Sequence, residues 1–141
     1  MDVEKKIAAI IGAGLIGRAW AVVFVRAGWT VRLFDAVPAQ LSAARHLIAQ
    51  ALAEQEQAGF VRDSRAALER VTPCMRAGDA VTDAAWVQEN LPEEVAIKRT
   101  AFAELDRLAS PDAILASSTS AIVASHFTAD LAGRARCLVV H

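Results

Sequence analysis

A chain of 141 residues is long enough for one domain and short for two, so a single core is expected. With 55% hydrophobic and 22% charged residues, 7 Gly and 4 Pro, it is not a disordered, collagen-like or low-complexity sequence. The 15 Lys+Arg and 16 Asp+Glu give a formal charge of -1 without a long run of one sign, which argues against a nucleic-acid or anionic-membrane partner.

Met1 to Lys6 lead straight into a strand-like run, which leaves no room for a signal peptide and points to a cytoplasmic protein. That run, Lys6 to Ile11, reads as a fully buried first strand ended by Gly12. Leu15 to Ala27 reads as a helix, with Trp20, Val23, Phe24 and Ala27 at helical spacing and Gly28 as its stop. Its apolar stretch, Trp20 to Val25, falls far short of the roughly 20 residues that span a membrane. Thr30 to Asp35 is the second strand, either half-covered with Val31 and Leu33 inward or covered on both faces.

A long helical excursion follows, from Pro38 at a first helical turn to about Ala58, with Gly59 as its stop and a short helix across Ser64 to Arg70. Such an insertion suits a specific contact surface. Val71 to Cys74 and Trp86 to Asn90 read as strands, with a short helix over Asp79 to Ala85 between them. Glu93 to Leu108 reads as a helix with acids in its first turn and Val95, Phe102, Leu105 and Leu108 on a buried face. Ala113 to Ala116 and Cys137 to Val140 complete the strands. Cys74 and Cys137 lie 63 positions apart without metal-ligand spacing and read as reduced structural thiols. The alternation of strand and helix predicts a doubly wound, mostly parallel α/β sheet of Rossmann type, with helices on both faces and a helical insertion after the second strand.

The strongest motif is Gly12-Ala-Gly14-Leu15-Ile16-Gly17, directly after a strand and opening a helix. Gly12 permits the tight turn, Gly14 lets the backbone approach a diphosphate, and Gly17 allows close helix-strand packing. The helix N-terminus offers free N–H groups to that diphosphate. Asp35, 18 positions after Gly17 at the tip of the second strand, suits the adenosine ribose hydroxyls and repels a 2′-phosphate. Together these point to NAD rather than NADP as the cofactor. The alternative is a glycine turn plus a helix-capping aspartate.

Four segments carry a resemblance that covers the whole chain: Gly12 to Gly17, Gln88-Glu89-Asn90 with Lys98 beyond it, Ser117-Ser-Thr-Ser120, and Cys137-Leu-Val-Val-His141. The sequence resembles the N-terminal, NAD-binding domain of the L-3-hydroxyacyl-CoA dehydrogenase family, and its wording is closest to the L-gulonate 3-dehydrogenase/lambda-crystallin and carnitine dehydrogenase groups. Ser120 and His141 stand 21 positions apart, matching the family's interval between its Ser-x-Thr-Ser segment and its catalytic histidine.

The resemblance implies that His141 is the general base for a 3-hydroxyl group and that Ser120 hydrogen-bonds the substrate oxygen. It implies that Glu89 and Lys98 lie near the ribose and nicotinamide of the cofactor. Read from the residues alone, His141 is a strand-end surface residue, Ser120 caps a short helix as Thr119 also could, and Glu89 precedes a helix. Lys98 then pairs with Glu94 on a solvated face. His46 and His126 read as surface residues, and Trp20, Trp29 and Trp86 as packing.

The implied substrate is a small molecule, an L-3-hydroxyacyl-CoA or an L-3-hydroxy acid such as L-gulonate. Family members acting on CoA thioesters carry a serine and a lysine on the helical insertion, where this sequence has Ala51 and Ala58 and no lysine. The family continues past the histidine into a glutamate that pairs with it and a helical domain that completes the cleft and the dimer. The chain of 141 residues is therefore expected to bind NAD yet to turn over almost nothing alone, or to be a non-catalytic NAD-binding fragment.

Overall fold

The computed structural model describes residues 6–141. The expectation drawn from Met1 to Lys6 about a signal peptide falls, for residues 1–5, outside them. Six parallel strands stand in the order β3-β2-β1-β4-β5-β6, formed by Ile7–Ile11 (β1), Thr30–Phe34 (β2), Val71–Pro73 (β3), Trp86–Glu89 (β4), Ile114–Ser117 (β5) and Cys137–Val139 (β6). The order reverses direction between β1 and β4, the place where doubly wound sheets open a crevice at their carboxyl ends.

Alternation along β1 divides the core. Ala8 and Ile10 face Ala21 and Val25 of α1 (Leu15–Arg26) and Ile48 and Leu52 of α2 (Pro38–Gln57). Ala9 and Ile11 face the opposite layer, with Val81 of α4 (Ala77–Val81) and Phe102 and Leu105 of α5 (Val95–Leu108). Phe102 is wholly buried against Phe127, with ring centroids 4.8 Å apart, and burial of such a side chain contributes about 1.5–3 kcal/mol. Two further short helices are α3 (Ser64–Leu68) and α6 (Ser125–Thr128). Among the described residues no helix is long and apolar enough to cross a membrane.

The helical excursion completes the first core layer, since Leu41, Ala44, Ile48, Leu52, Val61 and Ala67 are all buried in it. Val31 and Leu33 are the covered positions of β2, while Thr30, Arg32 and Phe34 stay half-buried, so this strand is half-covered rather than enclosed. The Trp side chains pack around Phe24, at 6.0 Å for Trp20, 5.1 Å for Trp29 and 6.1 Å for Trp86. Both cysteines are free and half-buried, and His46 and His126 are exposed.

Two helix starts differ from the sequence reading. α4 begins at Ala77 and ends at Val81, earlier than Asp79 to Ala85, because the backbone leaves the helical conformation at Thr82 and takes a positive φ of +57° at Asp83, which stops the helix. α5 begins at Val95, so Glu93 and Glu94 precede the first turn instead of occupying it. Glu94, the N-cap, is extended, and Glu93 before it is drawn away toward the β5 loop by the Thr119 hydroxyl.

Candidate functional site

The chain leaves β1 through Gly12, whose φ of +92° lies in the left-handed region. A Cβ there would meet the Asn90 carbonyl oxygen at 2.8 Å, and a Cβ at Gly17 would lie 1.8 Å from the carbonyl oxygen of Gly12. These two glycines are packing requirements. Gly14 differs, because nothing lies within 4 Å of a Cβ built on it. It is the N-cap of α1, and no side chain caps that helix, which leaves the first-turn N–H groups without a side-chain acceptor. Leu15 and Ile16, next in line, are 72% and 53% exposed at the mouth of the crevice.

Asp35 follows β2 and uses both carboxylate oxygens locally. Oδ2 accepts from the Ala13 N–H at 2.8 Å and Oδ1 from the Val37 N–H at 2.8 Å. The first bond ties the glycine loop to β2, and the second organises the entry to α2, whose N-cap is Val37. Asp35 thus serves a helix start and also borders a cavity of about 450 Å³ with Gly12, Phe34 and Ile97. A second cavity, of about 480 Å³, is lined by Ile16, Trp20, Asn90, Ser118, Ser120 and His141. Leu91 borders both, so the two flank the glycine loop where the strand order reverses.

Below the second cavity lies a buried ion pair. Lys98 is 1% exposed and Glu89 not at all; their charged atoms are 2.9 and 3.2 Å apart. Glu89 also accepts from the Leu91 N–H at 2.6 Å and from the Ser117 hydroxyl, and Lys98 donates to the Leu91 carbonyl at 3.1 Å. The solvated pairing of Lys98 with Glu94 is therefore overturned. α5 turns Lys98 to the same buried side as Phe102 and Leu105, where a lone ammonium would be too costly without the Glu89 carboxylate. Glu89 ends β4 beneath the floor of the cavity rather than in its lining.

The acid that reaches the cavity is Glu93. Its Oε1 is 3.3 Å from the Lys98 ammonium, and its Oε2 accepts from the Thr119 hydroxyl at 2.9 Å and the Ser120 N–H at 3.3 Å. Partial burial pushes this carboxyl up, but hydrogen bonds from Thr119 and Lys98, the charge of Lys98 and the Ser120 N–H outweigh it and hold it below the ordinary range. Neither Ser120 nor Thr119 caps α6, whose N-cap, Ala124, has no side-chain hydrogen bond; the Thr119 hydroxyl instead accepts from the Ile122 N–H at 3.0 Å within the loop before it. Ser120 is exposed and lines the cavity with His141, which β6 delivers from the other side.

The structure thus brings Ser120, His141 and Lys98 to one cavity and sets Gly12 and Asp35 on the other. Gly14 and Leu15 open the helix between them. Sequence reasoning passed over Glu93, which the helical pattern absorbed into a first turn, since a proline directly before it is itself a helix-start signal. It also passed over the side chains of Gln88 and Ser118, whose buried hydrogen bonds have no periodic signal.

Two cavities on either side of an uncapped helix start, an open Gly14 and an acid at the tip of β2 suit the two halves of a dinucleotide, and define the chain as a dinucleotide-binding Rossmann domain. The family described as 3-hydroxyacyl-CoA dehydrogenase, NAD binding domain, matches residues 7–141, and the chain belongs to that family. Its cofactor is NAD. The bovine (Bos taurus) lambda-crystallin homolog is 38% identical over 136 residues, covering 94% of this chain and 42% of that protein. The L-carnitine dehydrogenase of Streptomyces griseus is 35% identical over 133 residues, which is 94% of this chain and 39% of its own length. The crystal structure of M. tuberculosis FadB2 superposes with a TM-score of 0.88 at 35% identity, over 97% of this chain and 48% of that one. The chain accordingly spans less than half the length of these relatives.

Proposed function

We propose that the chain is the cofactor-binding part of an NAD-dependent dehydrogenase that oxidises the 3-hydroxyl group of a small L-3-hydroxy acid. The observation that carries this reading is the meeting of Ser120 and His141 in one cavity beside the glycine loop. Oxidation of the alcohol removes a hydride from carbon and a proton from oxygen. NAD, when bound, supplies the acceptor for the hydride.

His141 takes the hydroxyl proton, since imidazole is a base available near neutral pH. The Ser120 hydroxyl donates a hydrogen bond to the same oxygen, which orients it and stabilises the charge it gains as the carbonyl forms. Glu93 holds Ser120 through its N–H and Thr119 through its hydroxyl, and presents its remaining oxygen beside the Lys98 ammonium toward the cofactor side of the cavity. Ile16 and Trp20 give the cavity an apolar wall beside the reacting atoms. Gly14 and the first-turn N–H groups hold the diphosphate, and Asp35 the adenosine ribose.

A free acid is favoured over a CoA thioester by the groove that continues past Ala19 and Val23 between α1 and α2. Its wall on α2 is made by Leu47, Ala51 and Glu54, and its one cation, Arg18, already donates to the Ala13 carbonyl at 3.2 Å. A phosphate-bearing tail would find a single, already engaged cation among the described residues of that groove. In the whole protein a second part completes the cleft, in keeping with relatives more than twice the length of the matched region.

The test follows NADH absorbance in the full-length protein with L-3-hydroxybutyrate, L-gulonate, L-carnitine and a 3-hydroxyacyl-CoA. Turnover of a free acid that is lost in His141→Ala and reduced in Ser120→Ala is expected, with far slower turnover by residues 1–141 alone. Full activity in His141→Ala would contradict the assigned base, and activity confined to the CoA thioester would contradict the substrate class.

A further inference from the structure

Beneath the cavity, the side chains of Gln88, Ser118 and Asn90 cross the ends of four strands in a single chain of hydrogen bonds. The Trp86 indole N–H donates to Gln88 Oε1 at 2.8 Å. Because an indole can only donate, it fixes which end of the Gln88 amide faces it and turns the NH2 group the other way. Both hydrogens of that group are then used, one on Ser118 Oγ at 2.7 Å and one on the Val140 carbonyl at 3.2 Å. Ser118, having accepted from Gln88, donates to Asn90 Oδ1 at 2.6 Å. Asn90 in turn donates to the Ile11 carbonyl at 3.3 Å and the Gln88 carbonyl at 2.9 Å. Every proton in the sequence has one direction, and Gln88 is 0% exposed, so no water competes for it.

The two ends of this chain matter. Ile11 immediately precedes Gly12, and Val140 immediately precedes His141. The Val140 N–H is held by the Ser117 carbonyl at 2.9 Å, so with Gln88 on its carbonyl both polar groups of that residue are anchored to β4 and β5. β6 is an edge strand of only three residues, Cys137–Val139, with Leu138 and Val139 38% and 40% exposed. It has little packing of its own with which to set the direction of Val140 and His141.

We infer that Gln88 is a positioning residue for His141, fixing through the Val140 carbonyl the peptide plane from which the imidazole projects into the cavity. The inference rests on reading His141 as the base. Gln88 lines neither cavity, and its hold on His141 runs through the Val140 carbonyl.

The test labels the histidines of the chain with 13C and 15N and follows the ring and amide signals of His46, His126 and His141 in wild type and in Gln88→Met, which keeps the volume and removes the hydrogen bonds. The His141 signals are expected to shift and broaden, while those of His46 and His126 and NAD affinity stay near wild type and the melting temperature falls with the lost buried hydrogen bonds. In the active full-length protein the same substitution should lower kcat by roughly tenfold to a hundredfold, with KM for NAD unchanged. If Gln88→Met does not fold, Gln88→Asn keeps a buried amide that is one methylene too short for Val140, and the same His141 change is expected. His141 signals that superimpose on wild type in the folded variant would overturn the inference. Absence of NAD binding by wild type would instead overturn the proposed function, and leaves the spectral comparison intact.

Discussion

The Lys98 ammonium lies 2.9 Å from Oε1 of Glu89, and neither side chain reaches solvent. Glu89 ends a strand and Lys98 sits one turn into α5, so the pair fastens β4 to the helix that covers it directly under the Ser120 cavity. Removing one partner leaves the other buried and uncompensated. Lys98→Met and Glu89→Gln are each expected to cost about 3–5 kcal/mol in urea unfolding, and the double variant less than the sum of the two. Additive losses would show that the two charges are not coupled.

Gly14 and Gly17 should separate binding from folding. A side chain at Gly14 meets open space, so Gly14→Val is expected to melt near wild type while losing NAD binding, because it fills the room a diphosphate needs. Gly17→Ala drives a Cβ into the Gly12 carbonyl and should destabilise the fold by roughly 1–3 kcal/mol or more. Thermal melts and NADH titration of both variants check this. Retained NADH affinity in Gly14→Val would show that the loop is only a turn.

Acid should loosen the support of β6. Asp106 on α5 binds Arg136, at 2.9 Å, and the Gly133 N–H, at 3.1 Å, holding the turn that leads into β6. Burial pushes its carboxyl up, yet the hydrogen bonds from Arg136 and Gly133 and the charge of Arg136 bring it below the ordinary range. The unfolded chain therefore takes up this proton first. The stability that Asp106 contributes is present above about pH 4 and lost as pH falls through its lower folded value. Urea unfolding across this range should show a steeper loss for wild type than for Asp106→Asn. Equal slopes would remove Asp106 from the account.

Gly133 makes that contact possible. A Cβ there would stand 2.0 Å from Asp106 Oδ1 and 2.7 Å from Arg136 Nε, so Gly133→Ala should lower the melting temperature and disorder β6 selectively. Amide exchange would show this as lost protection at Leu138 to Val140 with β1 and β4 unchanged. Uniform loss across the sheet would contradict a local role.

The sheet was legible in the sequence because each strand is a short apolar run bounded by glycine or polar residues, and the interval from Gly12 to Asp35 has a meaning that few other folds share. The Leu15 to Ala27 and Pro38 to Ala58 helices carried their own stop signals, Gly28 and Gly59, both at positive φ in the structure. What the sequence left open were choices that depend on distant partners. Lys98 on a helix face looks solvated until Glu89, nine positions away on a strand, is seen beneath it. Glu93 looks like a helix-start acid until Thr119 and Ser120, 26 and 27 positions on, are seen to hold it. Hydrogen bonds between elements have no period, and only the fold brings their ends together.

The central claim is that the Gly12 to Gly17 loop and Asp35 hold NAD at the reversal of the sheet. Titration calorimetry of residues 1–141 with NADH and with NADPH tests it most directly. NADH is expected to bind more tightly than NADPH, and Asp35→Ala to weaken NADH by roughly 1.5–3 kcal/mol while narrowing the preference. NADPH binding as tightly as NADH in wild type, or an Asp35→Ala variant with unchanged NADH affinity and preference, would contradict the account.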